Sequence, residues 1–201
     1  MTWITTIEPD EAEGRLQKSY SRIKGPDGQV DNILKAHSLR PHTLDGHMAL
    51  YKAVMHHSGN QVSSRLLEAI GVYVSHLNGC AYCVEHHYAG LCRLLNDDER
   101  GPAVRQALEA GKPETAFEGP ALAALNYAAK LTLRPGEITE ADIEALRSAG
   151  LSDGEILEIN QVAAYFSYAN RTVLGLGVSL DGEARGQSPS DASDPGNWSH
   201  R

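Results

Sequence analysis

The chain has 201 residues, 41% hydrophobic and 22% charged, with a formal net charge of −8. This is the composition of a soluble globular protein with enough length for a sizeable core. The acidic balance and scattered Lys and Arg argue against a nucleic-acid surface, which needs a basic patch against phosphate. No run reaches the roughly eighteen apolar residues of a membrane span, and the first six residues lack the basic and apolar regions of a signal peptide. The expected setting is the cytoplasm, where thiols stay reduced and a Cys-x-x-Cys pair points to catalysis or metal binding rather than to a structural staple.

In chain order the pattern is helical. Glu8-Pro9-Asp10 supplies the proline and acids of a helix N-terminus ahead of Leu16, Tyr20 and Ile23. Gly25-Pro26-Asp27-Gly28 breaks that helix. Residues 30–39 read as a second helix stopped by Pro41. Residues 42–57 read as a third, with Leu44, Met48, Tyr51 and Val54 or Met55 on one side. Ser63 or Ser64 caps the next, which runs to Leu77 and ends at Asn78-Gly79. Its stripe of Leu67, Ile70, Val74 and Leu77 faces a second side of Glu68, Gly71, Val72 and Ser75, so this helix is expected to be buried nearly all round. A helix from Cys80 to Leu95 follows, then helices over 97–110 and 121–133. Thr139 opens a capping box before Ile143, and Ser152-Asp153-Gly154-Glu155 is a Ser-x-x-Glu box launching a helix to Val173. With no alternating strand pattern and no internal repeat, the fold class is all-α. Residues 1–180 form the helical domain. From Asp181 the composition turns to Gly, Ser, Pro and Asp, so 181–201 is expected to be an extended or disordered tail, in which Trp198 could dock on a surface.

The chemistry concentrates in Asn78–His87. On a helix turning about 100° per residue, Cys80, Cys83 and His87 project within roughly 60° of one another. Three readings compete. Zinc would need Cys92 as fourth ligand, but Cys92 lies about 180° from Cys83 on the same helix. In a purely structural reading, buried cysteines act as small hydrophobes and His87 as a satisfied core histidine, which suits Cys92 but suits poorly a Cys80–Cys83 pair at a helix N-terminus with an imidazole aligned. In the third, thiol redox chemistry, the N-terminal end of the helix dipole and His87, one turn beyond Cys83, favour a thiolate. A carboxylate on the imidazole's other nitrogen would orient it, and Glu68 is the candidate acid. His86 points about 100° away around the helix and is expected at the surface, as is His76. No cofactor or metal is expected.

Glu68, Cys80, Cys83 and His87 stand as Glu-x11-Cys-x2-Cys-x3-His, which resembles the signature of the alkylhydroperoxidase D-like branch of the carboxymuconolactone decarboxylase superfamily. Leu39-Arg40-Pro41, Met48 with Tyr51, Ser75 with Asn78-Gly79-Cys80, Asn170-Arg171 and Leu176-Gly177-Val178 resemble its peroxidase-related subgroup. The resemblance implies an all-α bundle forming trimers or hexamers. It implies a thiol peroxidase in which Glu68 holds His87 and His87 helps deprotonate Cys83. Cys83, nearer His87, attacks the hydroperoxide and becomes a sulfenic acid, with Cys80, the first cysteine at the helix start, as the alternative nucleophile. Cys80 protonates the leaving alcohol and then condenses into a Cys80–Cys83 disulfide, reopened by a lipoyl-bearing or thioredoxin-like reductant. Tyr82 stands where some members carry histidine. The alternatives are a general thiol–disulfide oxidoreductase, a redox sensor, or a carboxymuconolactone decarboxylase-like enzyme.

Overall fold

The structure is a computed structural model and describes residues 2–25, 28–183 and 185. Among these the chain is all-helical: α1 (Gly14–Ile23), α2 (Asn32–Lys35), α3 (Pro41–Met55), α4 (Ser64–Leu77), α5 (Ala81–Leu95), α6 (Arg100–Glu109), α7 (Gly119–Leu133), α8 (Glu140–Ser148) and α9 (Asp153–Leu176), with 3₁₀ turns at Pro113–Thr115 and Pro135–Glu137. No helix among them is long and apolar enough to cross a membrane.

Two expected helices are shorter than the sequence pattern suggests. Glu8 to Glu11 forms a turn, with the Glu11 amide donating to the Glu8 carbonyl at 3.0 Å, and α1 begins only at Gly14. The helix expected over 30–39 shrinks to α2 and continues as overlapping turns through Arg40. Pro41 disfavours helical backbone at the residue before it, and Arg40 is accordingly extended in φ at −141°. The later boundaries follow their caps. Ser63 Oγ accepts from the Leu66 amide, Thr139 with Asp142 and Ser152 with Glu155 close capping boxes, and α9 runs to Leu176 before Gly177 turns left-handed.

Helix α4 is the centre of the bundle, packed on α5, α7 and α9. Every residue from Leu67 to Ser75 is buried, so both of its sequence stripes are satisfied by neighbours. Burial of Leu67, Ile70 and Val74 contributes about 1.5–3 kcal/mol each. A second cluster, with Leu16, Tyr20, Leu44 and Met48, joins α1 to α3. A third, with Ala36, Cys80, Cys83 and Val173, closes the end of the bundle where α4 turns into α5.

Gly71 sits where α9 crosses α4. A methyl group there would lie 2.4 Å from the Phe166 ring, so glycine is required by close approach. Gly71→Ala is expected to cost about 1–3 kcal/mol through overpacking, read as a lowered urea midpoint. An unchanged midpoint would mean that Phe166 can be moved without cost.

Candidate active site

The α4–α5 hairpin turns through Asn78 and Gly79, with Gly79 at φ +73°. The Cys80 amide donates to the Ser75 carbonyl at 2.9 Å, which fixes Cys80 as the N-cap of α5 and sets Cys83 in its first turn. Asn170 of α9 is fully buried and locks this turn from outside. Its Nδ2 donates to Ser75 Oγ at 3.0 Å and its Oδ1 accepts from Asn78 Nδ2 at 2.9 Å.

Both sulfurs are free thiols and buried, Cys80 completely, and their Sγ atoms lie 2.9 Å apart in a hydrogen bond. One proton between two sulfurs splits their acidities. The bond to Cys83 holds the Cys80 thiol below its ordinary range against the opposing effect of burial. The same bond, reinforced by burial, pushes Cys83 well above it. The Asn170 amide favours the thiolate form of each.

His87 lies one turn beyond Cys83, and its Nδ1 is 2.7 Å from Glu68 Oε2 on α4. The Glu68 side chain is only 2% exposed and His87 15%. Phe166 stands edge-on to the imidazole at 4.5 Å between centroids, so the glycine that admits Phe166 also positions His87. With Nδ1 committed to the carboxylate, Nε2 is the nitrogen left for proton transfer.

Cys83 and His87 line one cavity of about 80 Å³, together with Tyr51, Phe166, His47 and Asp31 among others. Cys80 is not among its lining residues. The structure therefore brings Glu68, Cys80, Cys83 and His87 together. Cys92 lies apart, its sulfur against α6 at Gly101, and His76 is half-buried outside the cavity.

The carboxymuconolactone decarboxylase family model matches residues 41–110, which span α3 to α6. A peroxidase-related protein from a Silicibacter species is 30% identical, with 88% of this chain and 87% of that one covered at a TM-score of 0.72. The chain belongs to the alkylhydroperoxidase D-like, carboxymuconolactone decarboxylase superfamily. A further superfamily structure, a peroxidase-related alkylhydroperoxidase core from Ralstonia eutropha, is 25% identical over 92% of this chain and 97% of that one, with a TM-score of 0.76. The apo form of a debrominase shares the fold at 17% identity, covering 89% and 92% of the two chains with a TM-score of 0.72. No curated protein matches the sequence.

Within this superfamily fold, one expectation is corrected. His86 is not at the surface: its side chain is 10% exposed, and Nε2 lies 2.8 Å from Glu183 Oε1. The reason is that the chain folds back over α5 after α9. Asn32 Nδ2 donates to the carbonyls of Ser179 and Asp181 at 2.8 and 3.2 Å. The Asn32 amide donates to Glu183 Oε2 at 2.9 Å, and Tyr82 Oη donates to Glu183 Oε1 at 2.5 Å. The first residues of the stretch read as an extended or disordered tail from Asp181 are thus held against α2 and α5 through Asp181 and Glu183. The remainder of that reading, residues 184 and 186–201 with Trp198, lies outside the described residues. Asp31, at the start of α2, also faces this cluster. Burial, helped by the Glu183 carboxylate, pushes its carboxyl up to about 6, against the pull of His86 and His87. Asp31, Tyr82 and Glu183 give no local signal, because each is placed by contacts far apart in sequence.

On the opposite wall His47 is buried, with Tyr165 Oη at 3.4 Å from Nε2 and, among the described residues, no hydrogen-bond partner for Nδ1. Burial, and then nearby His37, push it from 6.5 down to about 3. A lowered folded pKa means stability that is fully present above about 6.5 and lost as pH falls toward about 3. Asp31, raised from 3.8 to about 6, works in the opposite sense between those values, so the comparison must be with a variant. His47→Gln is expected to flatten the acid slope of unfolding free energy by up to about 1.4 kcal/mol per pH unit. Urea titrations between pH 3 and 7 measure it, and identical slopes would place the acid sensitivity elsewhere.

Proposed function

We propose that this protein is a cytoplasmic thiol peroxidase that reduces alkyl hydroperoxides, with Cys83 as the attacking sulfur, and that it works as a homo-oligomer, a trimer or hexamer. The observation that carries the reading is the 2.9 Å approach of two free thiols beside a buried carboxylate–imidazole pair at 2.7 Å. Cys83 opens on the same cavity as His87. The superfamily likeness to peroxidase-related structures supports the same class.

The reaction balances with the groups present. A proton leaves Cys83 for His87, and Cys83 Sγ attacks the terminal peroxide oxygen. The O–O bond breaks, the alkoxide takes the proton held by Cys80 or His87, and Cys83 becomes a sulfenic acid. Cys80 Sγ attacks Cys83, water leaves, and a disulfide forms; the sulfurs already lie within easy reach of a bond of about 2.05 Å. An external dithiol, lipoyl-bearing or thioredoxin-like, returns the pair to two thiols. Glu68 keeps the His87 tautomer fixed throughout.

The test is consumption of an alkyl hydroperoxide in the presence of dihydrolipoamide or reduced thioredoxin. Many turnovers per chain are expected. Loss of only about one peroxide per chain would indicate a redox sensor. Disulfide exchange without peroxide consumption would indicate a general oxidoreductase, and decarboxylation of a lactone acid by a variant lacking both cysteines would favour the decarboxylase reading.

A further inference from the structure

We propose that Asp31, His86 and Glu183 bind one divalent cation of the first transition row on the wall of the cavity that holds Cys83. Each residue offers one ligand atom, and all three atoms lie within 4.8 Å of one another. Donors sharing one such ion at about 2.1 Å stand roughly 3–4 Å apart, so small rotamer changes close the triangle. His86 Nε2 and Glu183 Oε1 are already 2.8 Å apart, on side chains 10% and 5% exposed.

Asp31 is the observation that points to a ligand. It occupies the N-cap of α2, where an aspartate ordinarily accepts from the helix amides, yet its side chain makes no capping bond. Among the described residues the carboxylate accepts no hydrogen bond, and it lines the cavity instead. Two carboxylates and an imidazole therefore converge at one point, Asp31 and His86 on the cavity lining and Glu183 against His86. A divalent ion would balance the two carboxylates directly, which Lys35, itself paired with Glu8, does only from a distance.

The surroundings hold the ligands as a metal site requires. Glu183 is oriented by the Asn32 amide and by Tyr82 Oη, the supporting bonds that set ligand direction. His86 stands on a rigid helix, with the Tyr82 ring 4.6 Å away between centroids. The three ligands come from the start of α2, the middle of α5 and the segment after α9, so one ion would cross-link all three. A mixed set of one nitrogen and two oxygens suits manganese, iron or zinc rather than calcium, which takes six to eight oxygens. Three protein ligands leave positions for water or an oxygen-donor ligand. The site stands independently of the peroxidase reading, because no thiol is a member of it.

Manganese is the discriminating probe, because it is harder than zinc and avoids thiolates. Tag-free full-length protein is titrated with Mn²⁺, and the free ion is followed by its six-line electron paramagnetic resonance signal. Binding of about one Mn²⁺ per chain is expected. Asp31→Asn and Glu183→Gln should each weaken it about tenfold or more, while Cys80→Ser/Cys83→Ser should leave it within about twofold. Zn²⁺ should displace the manganese from that cysteine-free variant. Since the Asp31 side chain makes no hydrogen bond among the described residues, Asp31→Asn is expected to keep the fold and carries the test even if Glu183→Gln loosens the segment after α9. Circular dichroism verifies the fold of each variant. No loss of free signal would overturn the proposal, as would equal binding in the Asp31→Asn/Glu183→Gln double variant. Binding lost only with the cysteines would overturn it too, by moving the ion to the sulfurs.

Discussion

Cys83→Ser is expected to lower hydroperoxide turnover by about three orders of magnitude or more, and Cys80→Ser to permit one oxidation per chain and then stall. The two cysteines differ in access. Cys83 lines the cavity, whereas Cys80 is completely buried and absent from the lining. They also differ in protonation, in the opposite direction, because the hydrogen bond between them favours charge on Cys80 and disfavours it on Cys83. These facts fit a single scheme. In the proposed scheme Cys83 is the sulfur that meets the peroxide, its proton passes to His87, and Cys80, 2.9 Å away, supplies the proton for the leaving alkoxide. Serine at 83 removes the nucleophile, since an alcohol is far less acidic and less nucleophilic than a thiol. Serine at 80 removes the resolving sulfur and leaves the sulfenic acid with nothing to condense with. The measurement is a sulfenic-acid-trapping mass tag added to peroxide-treated Cys80→Ser protein, with the modified peptide located by mass spectrometry. A tag on Cys83 is the expected result. A tag on Cys92, or none despite peroxide, would defeat the scheme.

Much of this arrangement is legible in the sequence because it is local. Cys80, Cys83 and His87 share a helical face by spacing alone, and the two-sided apolar pattern around Glu68 identifies α4 as a helix buried on all sides. The capping boxes of Thr139 and Ser152 mark helix starts that the structure reproduces. What the pattern does not carry is everything decided by chain reversal. Glu183 sits in a stretch whose composition reads as solvent-exposed, and only the return of that stretch over α5 buries it against Tyr82 and His86. His86 then follows: a position on the outer face of α5 becomes interior once a segment more than ninety residues later covers it. Asn170 is similar, since its role depends on α9 crossing the α4–α5 turn. The short α2 has a different cause. Apolar spacing over 30–39 suits a helix, but the proline at 41 disfavours helical backbone just before it, and the chain continues in turns to Arg40.

The second large effect is expected at Glu68, where two substitutions separate chemistry from stability. Glu68→Gln keeps the shape and an oxygen that can accept from His87 Nδ1, so the fold should lose no more than about 1 kcal/mol. It removes the negative charge that stabilises a protonated His87 during the transfer from Cys83, and the amide can equally donate and reverse the tautomer. Comparable loss of the orienting carboxylate in acid–base sites costs about 10²–10⁴-fold in rate, and a fall in that range is expected in the rate of Cys83 oxidation. Glu68→Ala adds a structural penalty. The carboxylate is buried to 1% exposure in the most enclosed helix of the bundle, and its removal leaves a void and an imidazole nitrogen without its partner. A loss of about 3–5 kcal/mol is expected for breaking such a buried pair. Rapid mixing with hydroperoxide reads the first effect, and urea unfolding reads the second. A positioning role predicts that Glu68→Gln is slow but stable. A Gln variant as fast as the parent would reduce Glu68 to a packing residue, whatever the Ala variant does to stability.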